Sequence, residues 1–226
     1  MKLVGHLHGI AAFREAMEEY QPERGSIPSD LIELVRSNYD FQIFPILASG
    51  AQLPAILAFQ AGRFASNGQS FAINQLAMSA DGDIAAAVTT DQADLVLDDL
   101  MRLLDENLGY RLRAARKAKH YVSTLVVQFD RRLEEYVGVL GKMAQTINNM
   151  RPGMTPFDLR RLSFGLKDIV QSTDPLVTVE NAEFLIERRT GSPPEENRYF
   201  CSAPMKTADH ILALERIEAI ARGEAE

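Results

Sequence analysis

The charged residues of this chain are sorted into separate segments, and this sorting limits what each segment can become. From Phe41 to Ala80 the only charged residue is Arg63, although charged residues make up 24% of the 226-residue sequence. Residues 91–106 then hold six acidic residues and one basic residue, and residues 111–119 hold five basic residues and no acidic one. Because charged side chains are almost never fully buried unless they are paired, this order predicts a buried sheet, a solvated helix and a basic connector in succession.

Apolar periodicity predicts most of the strands in the first two thirds of the chain. The expected strands are Phe41–Leu47, Leu53–Phe64, Ser70–Ser79, Ile84–Val88 and His120–Phe129. Asp81-Gly82, between two of these strands, is a hairpin signal. The last third is harder to interpret. It indicates a strand near residues 157–166, a hairpin formed by 183–189 and 199–203, and a helix that begins at Thr207.

Two long amphipathic helices are expected to cover the sheet. The first begins at Thr89-Thr90-Asp91, where a polar cap and an early acidic side chain suit a helix N-terminus, and it ends before Gly109. The second runs through residues 130–150, and we expect its apolar stripe to pack on the sheet of its own chain. These patterns predict an α+β fold: a largely antiparallel sheet packed by two long amphipathic helices, with a C-terminal hairpin and helix. We expect residues 1–226 to form a single domain, in which any subdomain boundary falls near residues 151–155.

Two of the expected helices resemble each other. Placing Thr90 on Thr207 without gaps aligns four apolar pairs: Leu95 with Leu212, Leu97 with Leu214, Leu100 with Ile217, and Leu103 with Ile220. Either the chain contains a duplicated hairpin-and-helix unit with pseudo-twofold symmetry, or two amphipathic helices with threonine caps align by chance. Because the strands before the two helices do not align convincingly, we expect the second explanation.

The composition is that of an acidic protein with one thiol. A net charge of -7 and a pI near 5.2 disfavour indiscriminate binding to nucleic acid or anionic lipid, so such binding would have to be local. Cys201 is the only cysteine, which excludes an intramolecular disulfide and suits a reducing, cytoplasmic location. Prolines, glycines and glutamines interrupt the uncharged run, so we expect no membrane span.

The basic connector is the strongest candidate for a binding surface. It contains Arg111, Arg113, Arg116, Lys117 and Lys119, and it is bounded by Tyr110 and Tyr121. Cations neutralise phosphates and tyrosine rings stack on bases, which would suit RNA or single-stranded DNA. Alternatively, these cations pair with acidic residues of the preceding helix, such as Asp94 and Asp98. They could also pair with an acidic helix of another subunit, which would favour a protein partner or self-association.

His6 and His8 are weak candidates for a metal site. On a regular strand, alternating residues lie on one face, so the two imidazoles could hold zinc or another divalent ion together with carboxylates. No H-E-x-x-H or companion motif accompanies them. A partly exposed N-terminal strand with two polar residues is therefore the simpler interpretation.

No segment carries a recognised catalytic motif. The phosphate loop, the G-x-G-x-x-G fingerprint and the G-x-S-x-G elbow are all missing from the sequence. We therefore predict no catalytic residue and no cofactor. The favoured function is a non-enzymatic protein–protein interaction or assembly component that forms homo-oligomers. The first alternative is a nucleic-acid-binding module that uses residues 111–119, and the second is a metal-dependent enzyme that uses His6 and His8.

Overall fold

Eight strands join in one antiparallel sheet, and the helices lie against it, which confirms the predicted α+β class. The computed structural model describes residues 1–14, 28–47, 54–66, 68–79, 82–109, 119–150, 159–165, 178–179 and 182–224. The strands are β1 (Lys2–Arg14), β2 (Ile56–Ser66), β3 (Gln69–Ser79), β4 (Gly82–Ala87), β5 (Lys119–Gln128), β6 (Arg161–Phe164), β7 (Phe184–Arg188) and β8 (Arg198–Ala203). The helices are α1 (Pro28–Tyr39), α2 (Thr90–Leu108), α3 (Leu133–Tyr136), α4 (Gly138–Asn149) and α5 (Thr207–Arg222).

The strand order shows that the chain contains the same arrangement twice. The order across the sheet is β2-β3-β4-β1-β5-β8-β7-β6. From the central β1–β5 pair outward, one side of the sheet has the order β1, β4, β3, β2 and the other has β5, β8, β7, β6. Each side therefore consists of the first, fourth, third and second strands of one half of the chain. We call β1 to α2 the N-terminal unit and β5 to α5 the C-terminal unit. Each of the two similar helices, α2 and α5, closes a unit with the same connectivity, which favours the duplicated unit over a chance alignment.

The register of the central strands locates the pseudo-twofold axis. Gly9 pairs with Ala87 within the N-terminal unit, and Ser123 pairs with Ala203 within the C-terminal unit. Gly9 and Ser123 also pair with each other across the β1–β5 junction. Equivalent residues face each other only where a twofold axis passes, so the axis runs between these two residues.

The first residues of α2 and α5 meet at the same axis. The Thr90 N–H donates to Oγ1 of Thr207 at 3.0 Å, and the Thr207 N–H donates to Oγ1 of Thr90 at 2.8 Å. Each helix thus caps one backbone N–H of the other that has no acceptor within its own helix. Gly9 lies directly beneath, where a Cβ atom would collide with the backbone of Thr89 and Thr90. The glycine allows the helix start to approach the strand closely.

The helices α1, α2 and α5 lie on one face of the sheet, where they bury two apolar cores. In the N-terminal unit, α2 buries seven residues, and its cap is the one expected: Oγ1 of Thr89 accepts from the Gln92 N–H, and Gly109 ends the helix with φ of 68°. Here α1 adds Ile32, Val35 and Tyr39 to the core. In the C-terminal unit, the buried core consists of Leu125, Val127, Phe129, Leu133, Ile186, Tyr199, Cys201 and Leu214.

Two predicted elements differ from the structure. The expected helix at residues 130–150 is divided into α3 and α4 at Val137, whose φ of -113° and ψ of 73° are not helical. Its longer part, α4, buries none of its residues, whereas Leu133 in α3 is buried in the core of the C-terminal unit. The expectation that the stripe of residues 130–150 packs on its own sheet therefore holds only at the start of that stripe. The second long helix on the sheet is α5 instead. The expected strand at 41–47 is reduced to a single bridge between Ile43 and Gln60. The suggested boundary near residues 151–155 falls outside the described residues.

Candidate interaction surface

Only part of the basic connector lies within the described residues. Tyr110, Arg111, Arg113, Arg116 and Lys117 lie outside the described residues. Lys119 and Tyr121 belong to β5, and both face the acidic residues of α2. The Lys119 ammonium binds the carboxylates of Asp94 and, at 2.6 Å, Asp98.

Tyr121 completes this polar cluster between the two units. Its hydroxyl donates to Asp94 at 3.1 Å, and Nζ of Lys206 lies 5.0 Å from the centre of its ring. Burial and the neighbouring Asp94 carboxylate raise the pKa of Tyr121 to about 12. Burial alone would lower the pKa of Lys119, but hydrogen bonds to Asp94 and Asp98 raise it. Both side chains are thus engaged within the molecule, as the pairing alternative predicts for them.

A β-bulge changes the geometry expected for His6 and His8. The register places His6 opposite Leu125 and His8 opposite Thr124, which are successive residues of β5. Successive residues of a strand point to opposite faces, so the alternation that would have brought the two imidazoles together is lost. The ring of His8 lies 3.5 Å from Oγ1 of Thr124. Within the described ranges, His, Cys, Asp and Glu side chains form no group of three with metal-binding geometry.

Cys201 and His210 are both buried completely, on β8 and α5. Burial raises the pKa of the Cys201 thiol to about 12, so the thiolate needed for nucleophilic chemistry is disfavoured. Burial also lowers the pKa of His210 to about 4, against a smaller opposite effect from the backbone of Ser123. The His210 imidazole packs edge-on against the ring of Phe184, and the two ring centres are 5.7 Å apart. Both groups behave as core residues.

Glu218 on α5 is a buried carboxylate that sequence reasoning missed. It accepts hydrogen bonds from the amino group of Met1, the Asp130 N–H at 3.0 Å, the Tyr136 hydroxyl at 3.1 Å and the Arg222 guanidinium at 2.6 Å. Burial alone would raise the pKa of Glu218, but these donors lower it. The sequence signal was its spacing, because Thr207, His210, Leu214 and Glu218 all lie on the buried face of α5. The apolar residues at 212 and 220 had suggested a different face, and both are exposed.

The most conspicuous exposed apolar surface is on α4. Its large apolar side chains, between 45% and 77% exposed, form one stripe at helical spacing: Val139, Met143, Ile147 and the following Met150. Lys142 is the only charged residue of α4. We call these four side chains the α4 stripe.

A second exposed apolar site lies at the outer edge of the C-terminal unit. Phe164 on β6 is 61% exposed. Its ring packs edge-on against the ring of Phe184 on β7, and the two ring centres are 6.2 Å apart. Leu162 pairs with the buried Ile186, and Phe164 pairs with Phe184, so all four lie on the helix-bearing face of the sheet. We call Leu162, Phe164 and Phe184 the β6–β7 patch.

Neither the known protein-family models nor the curated proteins give a match to this chain. A search of the described helices for a membrane span finds none that is both long and apolar enough to cross a bilayer.

Proposed function

We propose that this protein is a non-enzymatic interaction or assembly component that binds a protein partner through the α4 stripe. One observation carries the proposal: α4 presents four large apolar side chains to solvent and buries no residue of its own. Adjacent exposed apolar side chains at helical spacing are typical of a helix that lies in the groove of a partner or against another helix.

The energetics favour this use of the stripe. Burying a fully exposed large aliphatic side chain gains about 1.5–3 kcal/mol. Because the four side chains of the stripe are 45–77% exposed, together they supply roughly 4–7 kcal/mol of gross stabilisation. Association costs at least about 4 kcal/mol in lost translational and rotational freedom. The stripe therefore offsets the smallest expected cost of association, and neighbouring contacts would supply the net affinity. Since Lys142 is the only charge on α4, desolvating the helix removes few ionic groups from water.

Light scattering coupled to size-exclusion chromatography tests the proposal, together with affinity capture of partners. The double variant Met143→Glu, Ile147→Glu should lose self-association or partner binding, because it places two charges in the centre of the stripe. The matched control is Gln145→Glu, Asn149→Glu, which adds the same charge to exposed positions on the opposite side of α4. If the two double variants behave alike, or if the unmodified protein is a monomer that captures no partner, the proposal fails.

Nucleic-acid binding through residues 111–119 stays a prediction, and the same chromatography tests it. Co-purifying nucleic acid would raise the absorbance at 260 nm relative to 280 nm, and high salt would remove it. The variant Arg113→Ala, Arg116→Ala, Lys117→Ala would abolish that signal if the connector binds phosphates. Metal use through His6 and His8 is tested by elemental analysis of the purified protein and by the change in its melting temperature on adding zinc.

A further inference from the structure

The pseudo-twofold symmetry identifies a difference between the two units that bears on the α4 stripe. In the N-terminal unit, α1 lies between β1 and β2 in the chain; in the C-terminal unit, α3 and α4 lie between the equivalent strands β5 and β6. The helices α1 and α4 therefore occupy equivalent places in the connectivity. Their environments differ: Ile32, Val35 and Tyr39 of α1 are buried, whereas α4 buries nothing.

The strands that these helices would cover differ in the same way. In the N-terminal unit, α1 packs against β2, and Leu57, Phe59 and Phe64 of that strand are buried. In the C-terminal unit, the equivalent strand β6 leaves Phe164 61% exposed, and Leu162 and Phe184 are only half-buried. One unit thus has a helix packed on its outer strands, and the other has an exposed helix and an exposed outer patch.

The α4 stripe and the β6–β7 patch are both exposed within one chain, and α3 anchors the start of α4 elsewhere. Leu133 is buried, and its N–H donates to the Tyr199 hydroxyl at 2.9 Å, while Tyr136 donates to Glu218. Only Val137 separates this anchored turn from α4. The start of α4 is therefore held near β8 and α5, and the stripe of this helix is exposed.

We propose that the α4 stripe of one copy packs on the β6–β7 patch of a second copy, and that the contact is made twice around a twofold axis. This inference rests on the proposed function and names the partner of the α4 stripe. Each C-terminal unit then receives from the other copy the cover that α1 provides inside the N-terminal unit. The charges permit this contact: Arg161, which precedes Leu162 in β6, is paired with Glu183 at 2.8 Å, and the stripe itself is uncharged.

Disulfide trapping between full-length variants tests this pairing. Tagged Met143→Cys is mixed with untagged Phe164→Cys under mild oxidation, and a mixed dimer is expected on a non-reducing gel. Cys201 does not interfere because it is buried. The matched control replaces Met143→Cys with Leu95→Cys, which puts an exposed cysteine on α2 and should give no mixed dimer with Phe164→Cys.

The other outcomes each overturn the inference. A Met143→Cys dimer that forms without the second variant would mean that α4 pairs with α4. A chain that carries both substitutions and closes on itself at every dilution would mean that α4 covers its own patch.

A second measurement does not depend on disulfide geometry. Phe164→Glu should weaken the dimer at least tenfold, while Gln69→Glu, at an exposed position of β3 near the other end of the sheet, should leave it unchanged. If Met143→Glu, Ile147→Glu dissociates a complex that Phe164→Glu leaves intact, the inference is wrong and the proposed function survives. If no substitution affects association, both fail.

Discussion

The two units of the molecule have the same connectivity and stabilise it with different chemistry. Where the Thr90–Thr207 alignment pairs the two closing helices, α2 has Ala93, Leu97 and Met101, and α5 has His210, Leu214 and Glu218. The buried face of α2 is apolar beyond its first threonine, whereas α5 buries two ionisable groups. Only the leucine is common to both.

This difference separates what the fold requires from what it tolerates. Both units keep a capping threonine at the axis and small residues where the helix starts approach the central strands. Beyond that, an ionisable side chain is accepted at a core position if its charge is either lost, as in His210, or fully hydrogen-bonded, as in Glu218. The polar core of the C-terminal unit also fixes α3, and through α3 the position of α4. Four measurements test this difference between the two units.

Removing the charge of Glu218 should have the largest effect. Glu218→Gln leaves buried donors without a carboxylate, and we expect the free energy of unfolding to fall by about 4 kcal/mol in denaturant titrations. Glu215→Gln, an exposed residue of the same helix, is the control and should change it by less than about 0.5 kcal/mol. Equal effects would mean that the buried network does not stabilise the C-terminal unit.

Crowding the axis should come next. Gly9→Ala places a methyl group against the backbone of Thr89 and Thr90, which cannot move aside without shifting α2, so we expect a loss of roughly 3 kcal/mol. Gly5→Ala, on the same strand, meets no atom within 4 Å and should be close to neutral. The comparison is made from chemical unfolding midpoints at constant m-value. A neutral Gly9→Ala would show that the two helix starts do not need this close approach.

Truncating α1 and α4 compares their packing directly. Ile32→Ala removes buried methyl groups and should cost roughly 2–3 kcal/mol of stability. Ile147→Ala, on the exposed stripe, should change the stability of a dilute monomer by less than about 0.5 kcal/mol. Thermal unfolding at low and high protein concentration is the measurement. If the dilute protein loses as much stability with Ile147→Ala as with Ile32→Ala, α4 is packed within its own chain.

The pH dependence of stability should report His210. The pKa is about 4 in the folded state and 6.5 in the unfolded chain, so below pH 6.5 the unfolded state binds the proton more readily and stability falls as pH falls. Between pH 7 and pH 5 we expect a loss of roughly 2 kcal/mol. His210→Ala introduces the residue found at the equivalent position of α2 and should flatten this slope. His6→Ala, at an exposed position, should retain it; a slope that survives His210→Ala belongs to another group.

Sequence patterns were most informative where local signals and burial agree. The Thr89 cap, the Gly109 stop and the leucines of α2 predicted that helix, and the β-branched run at 120–129 predicted β5. The candidate site was predicted less well. An apolar stripe was predicted along residues 130–150, but the exposure of Met143 and Ile147 was not, because periodicity describes which residues share a face and not what that face meets. Glu218 was missed because its four donors come from chain segments up to 217 residues away.

The amino-acid sequence by itself determined the α+β class, the antiparallel hairpins and most helix ends, because these depend on alternation, caps and turns within a few residues. That the chain consists of two equivalent units is visible only in three dimensions, because their shared connectivity is a property of strand pairing. The aligned core positions of α2 and α5 carry mostly different residues. The tertiary structure also decided that His210 and Glu218 are buried while Leu212 and Ile220 are exposed. A helix is rotated by the surface on which it packs, and for α5 the reciprocal contact of Thr90 and Thr207 at the axis outweighs the apolar stripe that its sequence suggests.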